Sequence, residues 1–118
     1  MKTSVRQIGH VSVVDISGKI TIGEGDVVLR EKVNELLDND QKHILLNLEK
    51  VSYMDSAGIG ELVASSKLAE RVASEVKLVN VQDQVRHILE LSMVLPMLDV
   101  HDNEEQALAA FGNEGASA

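Results

Sequence analysis

Apolar positions along the chain alternate at first and then fall into helical spacing. Val5 to Ile8 and Val11 to Ile16 are β-rich runs separated by Gly9-His10, which predicts a hairpin. Val11 and Val13 share one face of the second run, and Val14 and Ile16 the other, so that strand is expected inside a sheet. Gly18 is expected to end it. Ile20-Thr21-Ile22 leads into Gly23-Glu24-Gly25, a loop signal, and Asp26 can assist the start of a helix.

Leu29, Val33, Leu36 and Leu37 trace one stripe of that helix, with Arg30, Glu31, Lys32 and Glu35 off it. Asp38-Asn39-Asp40 breaks the pattern. Ile44-Leu45-Leu46-Asn47-Leu48 is nearly continuously apolar, as a strand buried on both faces of a parallel sheet should be. Val51-Ser52-Tyr53-Met54 follows, and then Asp55-Ser56-Ala57-Gly58-Ile59-Gly60. Ile59, Leu62, Val63, Ser66, Ala69 and Val72 form the next inward stripe. Glu61 near its start and Lys67 and Arg71 near its end suit the helix macrodipole. Val76, Leu78 and Val79 predict a strand. Val81, Val85, Ile88, Leu89 and Ser92 predict a helix that Pro96 stops. Leu98 and Val100 predict a short last strand, and Glu104 to Phe111 a final helix with Ala107, Leu108 and Phe111 inward. The order ββαβαβαβα describes one α/β domain. Its sheet is mixed and mostly parallel, with an N-terminal antiparallel hairpin and about four helices.

Length, charge and composition narrow the function. The 118 residues suit a single domain, expected over residues 1–111, with 112–118 a small, polar, flexible tail. Lysine and arginine number 11 against 19 aspartate and glutamate, a net charge of −8. A surface of that sign repels phosphate backbones and anionic lipids, so neither nucleic acid nor membrane is expected as a direct partner. There is no cysteine, which removes thiolate chemistry and disulfides. One Tyr, one Phe and no Trp leave little to stack on a base or sugar. No signal peptide is recognisable and no apolar run approaches the roughly 18 residues of a membrane span, so a cytoplasmic location is expected.

The chemistry concentrates where the apolar strand ending at Met54 gives way to a helix. Ser56 either caps that helix, as Ser and Asp do at many N-termini, or is presented at a junction whose free N–H groups favour an anion. The frame Met54-Asp55-Ser56-Ala57-Gly58 lacks the first glycine of a nucleophile elbow. Asp55 has a rival reading as the phosphorylated aspartate of a receiver domain. That role needs an acidic pair after the first strand and a late Lys-Pro, where this chain has only Asp15 and Leu95-Pro96. A lone carboxylate makes a weak Mg²⁺ site. His10, His43, His87 and His101 have no metal-ligand spacing and read as surface or strand-end residues. Gly23-Glu24-Gly25 lacks the Gly-Lys-Ser/Thr of a phosphate loop. No enzyme, metal or cofactor site is expected.

Asp55-Ser56-Ala57-Gly58-Ile59-Gly60, preceded by Ile44 to Leu48 and followed beyond its helix by Val76-Lys77-Leu78-Val79-Asn80-Val81, resembles the signature of the STAS domain family. More narrowly, it resembles the bacterial anti-sigma factor antagonists, in element order from about Val5 to Phe111. The resemblance implies a partner-switching cycle. The unmodified antagonist binds a serine-kinase anti-sigma factor and frees a sigma factor. Phosphorylation of the serine after the motif's aspartate, here Ser56, dissociates the complex, and a metal-dependent serine phosphatase resets it. Asp55 and Gly58 are then expected to shape the presentation of Ser56, and Asp55, Ala57, Gly58 and Ile59 with Gly23, Glu24 and Gly25 to bind the partner. Two departures stand out. Many antagonists carry a second hydroxyl residue where this chain has Ala57, and many carry an acidic residue near Thr21. Other STAS relatives scaffold stress-signalling assemblies or serve transport systems, which is the alternative function.

Overall fold

The computed structural model describes residues 1–111; the expected tail at 112–118 lies outside them. Five strands form one sheet in chain order. They are β1 (Lys2–Ile8), β2 (Val11–Ile20), β3 (His43–Met54), β4 (Glu75–Val79) and β5 (Val100–His101). Only β1 runs antiparallel, paired with β2 across the Gly9-His10 turn, where Gly9 has φ +58°. The later strands are parallel, connected by α1 (Gly25–Asp38), α2 (Ser56–Arg71) and α3 (Asp83–Leu91), and α4 (Glu104–Ala110) follows β5.

The two faces of the sheet carry separate cores. Val14, Ile16, Ile44, Leu46 and Leu48 pack with Leu29 and Val33 of α1, Leu62 and Ala69 of α2, and Val85 and Leu89 of α3. On the other face Val11, Val13, Leu45 and Val79 pack against Ala107 and Phe111 at α4. The period-two alternation of β2 and β3 sends apolar residues to both faces, as the two-sided burial of an interior strand requires. Arg6 ties the α4 side down: it donates to both Asp15 oxygens, at 2.6 and 2.9 Å, and to Glu104 at 2.7 Å. The Arg6 bonds hold the Asp15 carboxyl below the usual carboxylate range.

Several expectations need correction. Gly18 does not end β2. The strand continues to Ile20, with Gly18 at φ +105° inside it. Between Asp15 and Ser17, and again between Gly18 and Lys19, the partner strand β3 carries one extra residue, so the register ends with Ile20 beside Met54. Pro96 does not stop α3. The helix ends at Leu91, Met93 adopts a left-handed φ of +59°, and Pro96 lies in a following 3₁₀ turn, Leu95–Met97. In α2 the buried serine is Ser65 rather than Ser66, and Val72, just past the helix end, is exposed. Leu98 precedes β5 rather than lying in it, although its side chain is buried. His43 is also buried, its ring edge-on to Phe111 at 5.3 Å.

Candidate functional site at the start of α2

The register shifts in β2 and β3 set up the site. With Ile20 beside Met54, the loop after β2 meets the turn between β3 and α2. Asp55 occupies the N-cap position with extended backbone, φ −95° and ψ −175°. Its Oδ1 accepts from the Gly58 N–H at 3.0 Å, one of the helix's orphan donors. Its Oδ2 accepts from the Ile22 N–H at 2.9 Å. One carboxylate thus caps the helix and clamps the neighbouring loop. These two bonds, Ile22 first and Gly58 second, hold the Asp55 carboxyl below its ordinary value. Both oxygens of Asp55 thus serve the helix cap and the loop, and among the described residues no acidic group that could hold a metal stands with it.

Asp55 therefore fills the cap role, and Ser56 does not. Ser56 is the first residue of α2 and is exposed, and no described residue hydrogen-bonds its hydroxyl. A hydroxyl left over at a helix start, beside N–H groups that favour negative charge, can receive a phosphoryl group without dismantling anything. Its one charged neighbour in sequence is the Asp55 carboxylate, already engaged with backbone.

The glycines of the motif do different work. A Cβ on Gly58 would lie 2.1 Å from the Ile20 carbonyl oxygen, so only glycine lets α2 start this close to β2. A Cβ on Gly60 would meet nothing, and Gly60 is exposed. In the loop, Gly23 has φ +82° and is exposed with Glu24, whereas a Cβ on Gly25 would sit 2.6 Å from the Lys19 carbonyl oxygen.

Of the residues expected at this face, Ser56, Gly23 and Glu24 are exposed and Asp55 and Ala57 are half-buried. Gly25, Gly58 and Ile59 are buried. Those three lie beneath the exposed residues, and Ile59 packs in the core. Sequence reasoning missed Ile22. Its side chain is 75% exposed, while its backbone is held by Asp55. The signal was available: an isoleucine between a strand end and a glycine loop has no period to bury it. Tyr53, two residues before Asp55, is also exposed. Arg30 of α1 donates to Glu61 of α2 at 2.9 Å, linking the second turns of the two helices. Among the described residues no group of three or more His, Asp or Glu could hold a metal ion, and no helix is long and apolar enough to cross a membrane.

A parallel α/β sheet with an antiparallel first strand, carrying an Asp-capped serine at the β3–α2 junction, defines a class: the chain belongs to the STAS domain family, whose model matches residues 2–107. Within it, the chain is 30% identical over 99 residues to the anti-sigma F factor antagonist of Paenibacillus polymyxa, covering 83% of this chain and 84% of that one. It is 30% identical over 87 residues to the anti-sigma-B factor antagonist of Staphylococcus aureus, covering 70% and 81%. Among solved structures, the anti-sigma factor antagonist SpoIIAA in its unphosphorylated form superposes with a TM-score of 0.70 at 18% identity, covering 96% of this chain and 99% of that one. The phosphorylated form of the Bacillus cell fate determinant SpoIIAA gives a TM-score of 0.68 at 21% identity, covering 93% and 99%. These two likenesses are of fold.

Proposed function

We propose that this chain is an anti-sigma factor antagonist that works by partner switching, with Ser56 as the covalent switch. Unmodified, it binds an anti-sigma factor that is also a serine kinase and thereby frees a sigma factor. Phosphorylated on Ser56, it lets go, and a serine phosphatase restores it. In this cycle the chain is ligand and substrate rather than catalyst. Two relatives named as antagonists support the partner class. The observation that carries the site is the division of labour at the junction: Asp55 caps α2, which leaves the neighbouring hydroxyl exposed and without a structural duty.

Phosphate brings about −1.5 to −2 charges at neutral pH. Buried against a partner without a counter-charge, such a group costs about 3–5 kcal/mol. At 1.4 kcal/mol per power of ten, that is roughly a hundredfold to a few thousandfold in affinity. Ile22, apolar, exposed and fixed beside Ser56 through Asp55, is the anchor this face offers a partner, with Gly23 and Glu24 next to it. Gly60 keeps the helix surface free of side chain for close approach.

Titration calorimetry of the Ser56→Asp and Ser56→Ala proteins against the cognate kinase tests this reading. Ser56→Ala is expected to bind as tightly as the parent and Ser56→Asp at least about tenfold more weakly, since Asp carries about half the charge of phosphate. Equal affinity for both variants would mean a constitutive scaffold in place of a switch.

A further inference from the structure

We infer that the end of the domain opposite Ser56 carries a second docking surface, built on Leu91, Met93, Pro96 and Met97, that takes a basic amphipathic helix of a partner protein. This surface is independent of the Ser56 switch. α2 starts at Ser56 and runs 16 residues to Arg71, a rise of roughly 24 Å. Met97 borders the same small cleft as Ser74, Glu75 and Val76, where β4 begins. A partner held there leaves Ser56 open to a kinase.

Three observations converge on this surface. The first is exposure: Leu91 is 71%, Met93 82% and Met97 55% exposed, three of the seven large apolar side chains that face solvent among the described residues. A groove of about 470 Å³ lies between Met93, Leu95, Pro96 and Glu90. The second is strain. Met93 follows α3 with φ +59°, its N–H bonded to the Glu90 carbonyl and that of Val94 to the Leu89 carbonyl. This is the helix-ending geometry that glycine adopts freely and other residues adopt at a cost. The turn closes α3 as similar turns close α1 and α2, but here the residue that bears it also holds a large apolar side chain in solvent. A flexible, polarisable side chain held out at a helix end suits a surface that accepts a helix from another protein.

The third observation is charge. Glu90 borders the groove, and Glu70, Glu75 and Asp99 border, with Met97, a second cleft of about 110 Å³. No lysine or arginine borders either. Lys77, 2.5 Å from Asp99 and 3.6 Å from Glu75, and His101, 2.8 Å from Asp99, engage two of those carboxylates and leave Glu70 and Glu90 without an ion pair among the described residues. Apolar anchors rimmed by carboxylates select a partner with an apolar stripe and flanking lysines or arginines, and turn away an anionic membrane.

The test is an NMR titration of methyl-labelled methionines with a synthetic four-turn Leu/Lys amphipathic helix, with a scrambled peptide of the same composition as control. Saturable shifts of the Met93 and Met97 methyls are expected, with affinity at least about tenfold weaker for the scramble and for Met93→Gly, as the loss of an anchor implies. Met93→Gly relieves the left-handed strain, so it is expected to melt no lower than the parent, which separates lost binding from lost folding. Ser56→Asp is expected to bind the peptide like the parent. Equal affinity for the scramble, binding unaltered by Met93→Gly, or shifts centred on Met54 near the switch would overturn the inference. So would sedimentation showing a dimer whose formation shifts the Met93 methyl without peptide, since a second copy would then be the occupant.

Discussion

At Asp55 a single carboxylate has two backbone donors, and its protonation should loosen both. Because the folded state holds this carboxyl below its ordinary value, its contribution to stability is present above the unfolded value of about 3.9 and is lost as pH falls through the folded one. Asp55→Asn keeps one accepting oxygen and loses the charge. Its melting temperature is expected to lie below the parent's at neutral pH, and the gap to close as pH drops below about 4; a gap that stayed constant with pH would show that the charge has no role. Gly58 and Gly60 make a matched pair in the same turn. Gly60→Ala is expected to stabilise by about 0.5–1 kcal/mol through helix propensity. Gly58→Ala forces a Cβ onto the Ile20 carbonyl and is expected to cost about 1–3 kcal/mol or more; denaturant unfolding of the two variants compares them. The sequence marked this junction but left open which neighbouring oxygen caps the helix. Aspartate and serine cap almost equally well, so only geometry could assign the role. The exposure of Ile22 was readable from its place before a glycine loop, but its clamp to a residue thirty-three positions away was not.

Periodicity located every helix and most strand residues, because each long element buries one continuous stripe or both faces. It failed where an ending depends on backbone conformation. α1, α2 and α3 are followed by Asp40, Ala73 and Met93 at φ +60°, +57° and +59°, none of them glycine. The expected breaker, Pro96, comes too late to act. Likewise Gly18 reads as a terminator, yet register shifts against β3 carry β2 past it, and the extra reach is what brings Ile20 to Gly58. At the end of α2, Ala73→Gly should relieve a left-handed cost of about 1–2 kcal/mol, part of it returned as unfolded-chain entropy. A net gain of roughly 0.5–1 kcal/mol is expected by chemical denaturation, and a loss would mean that the left-handed turn carries no strain there.

Across the whole molecule, the two cores surround β3 and leave the loop after β2 and the start of α2 as a rim at one end of the sheet. Phosphate at Ser56 would add charge to that rim without entering either core, so the proposed switch would act through the partner's affinity rather than through refolding. Fold class, element order and the motif were legible from the pattern of the whole chain, but which residues of the expected face are exposed was not, since that depends on how two loops pack together. The most direct measurement is intact-mass and fragment-ion analysis after incubation with ATP and the host's serine-kinase anti-sigma proteins. The account predicts one phosphoryl group, mapped to Ser56, absent from Ser56→Ala, and dissociation of the complex as it appears. Stable complexes with no phosphorylation, or phosphate mapped to Asp55 or elsewhere, would contradict it.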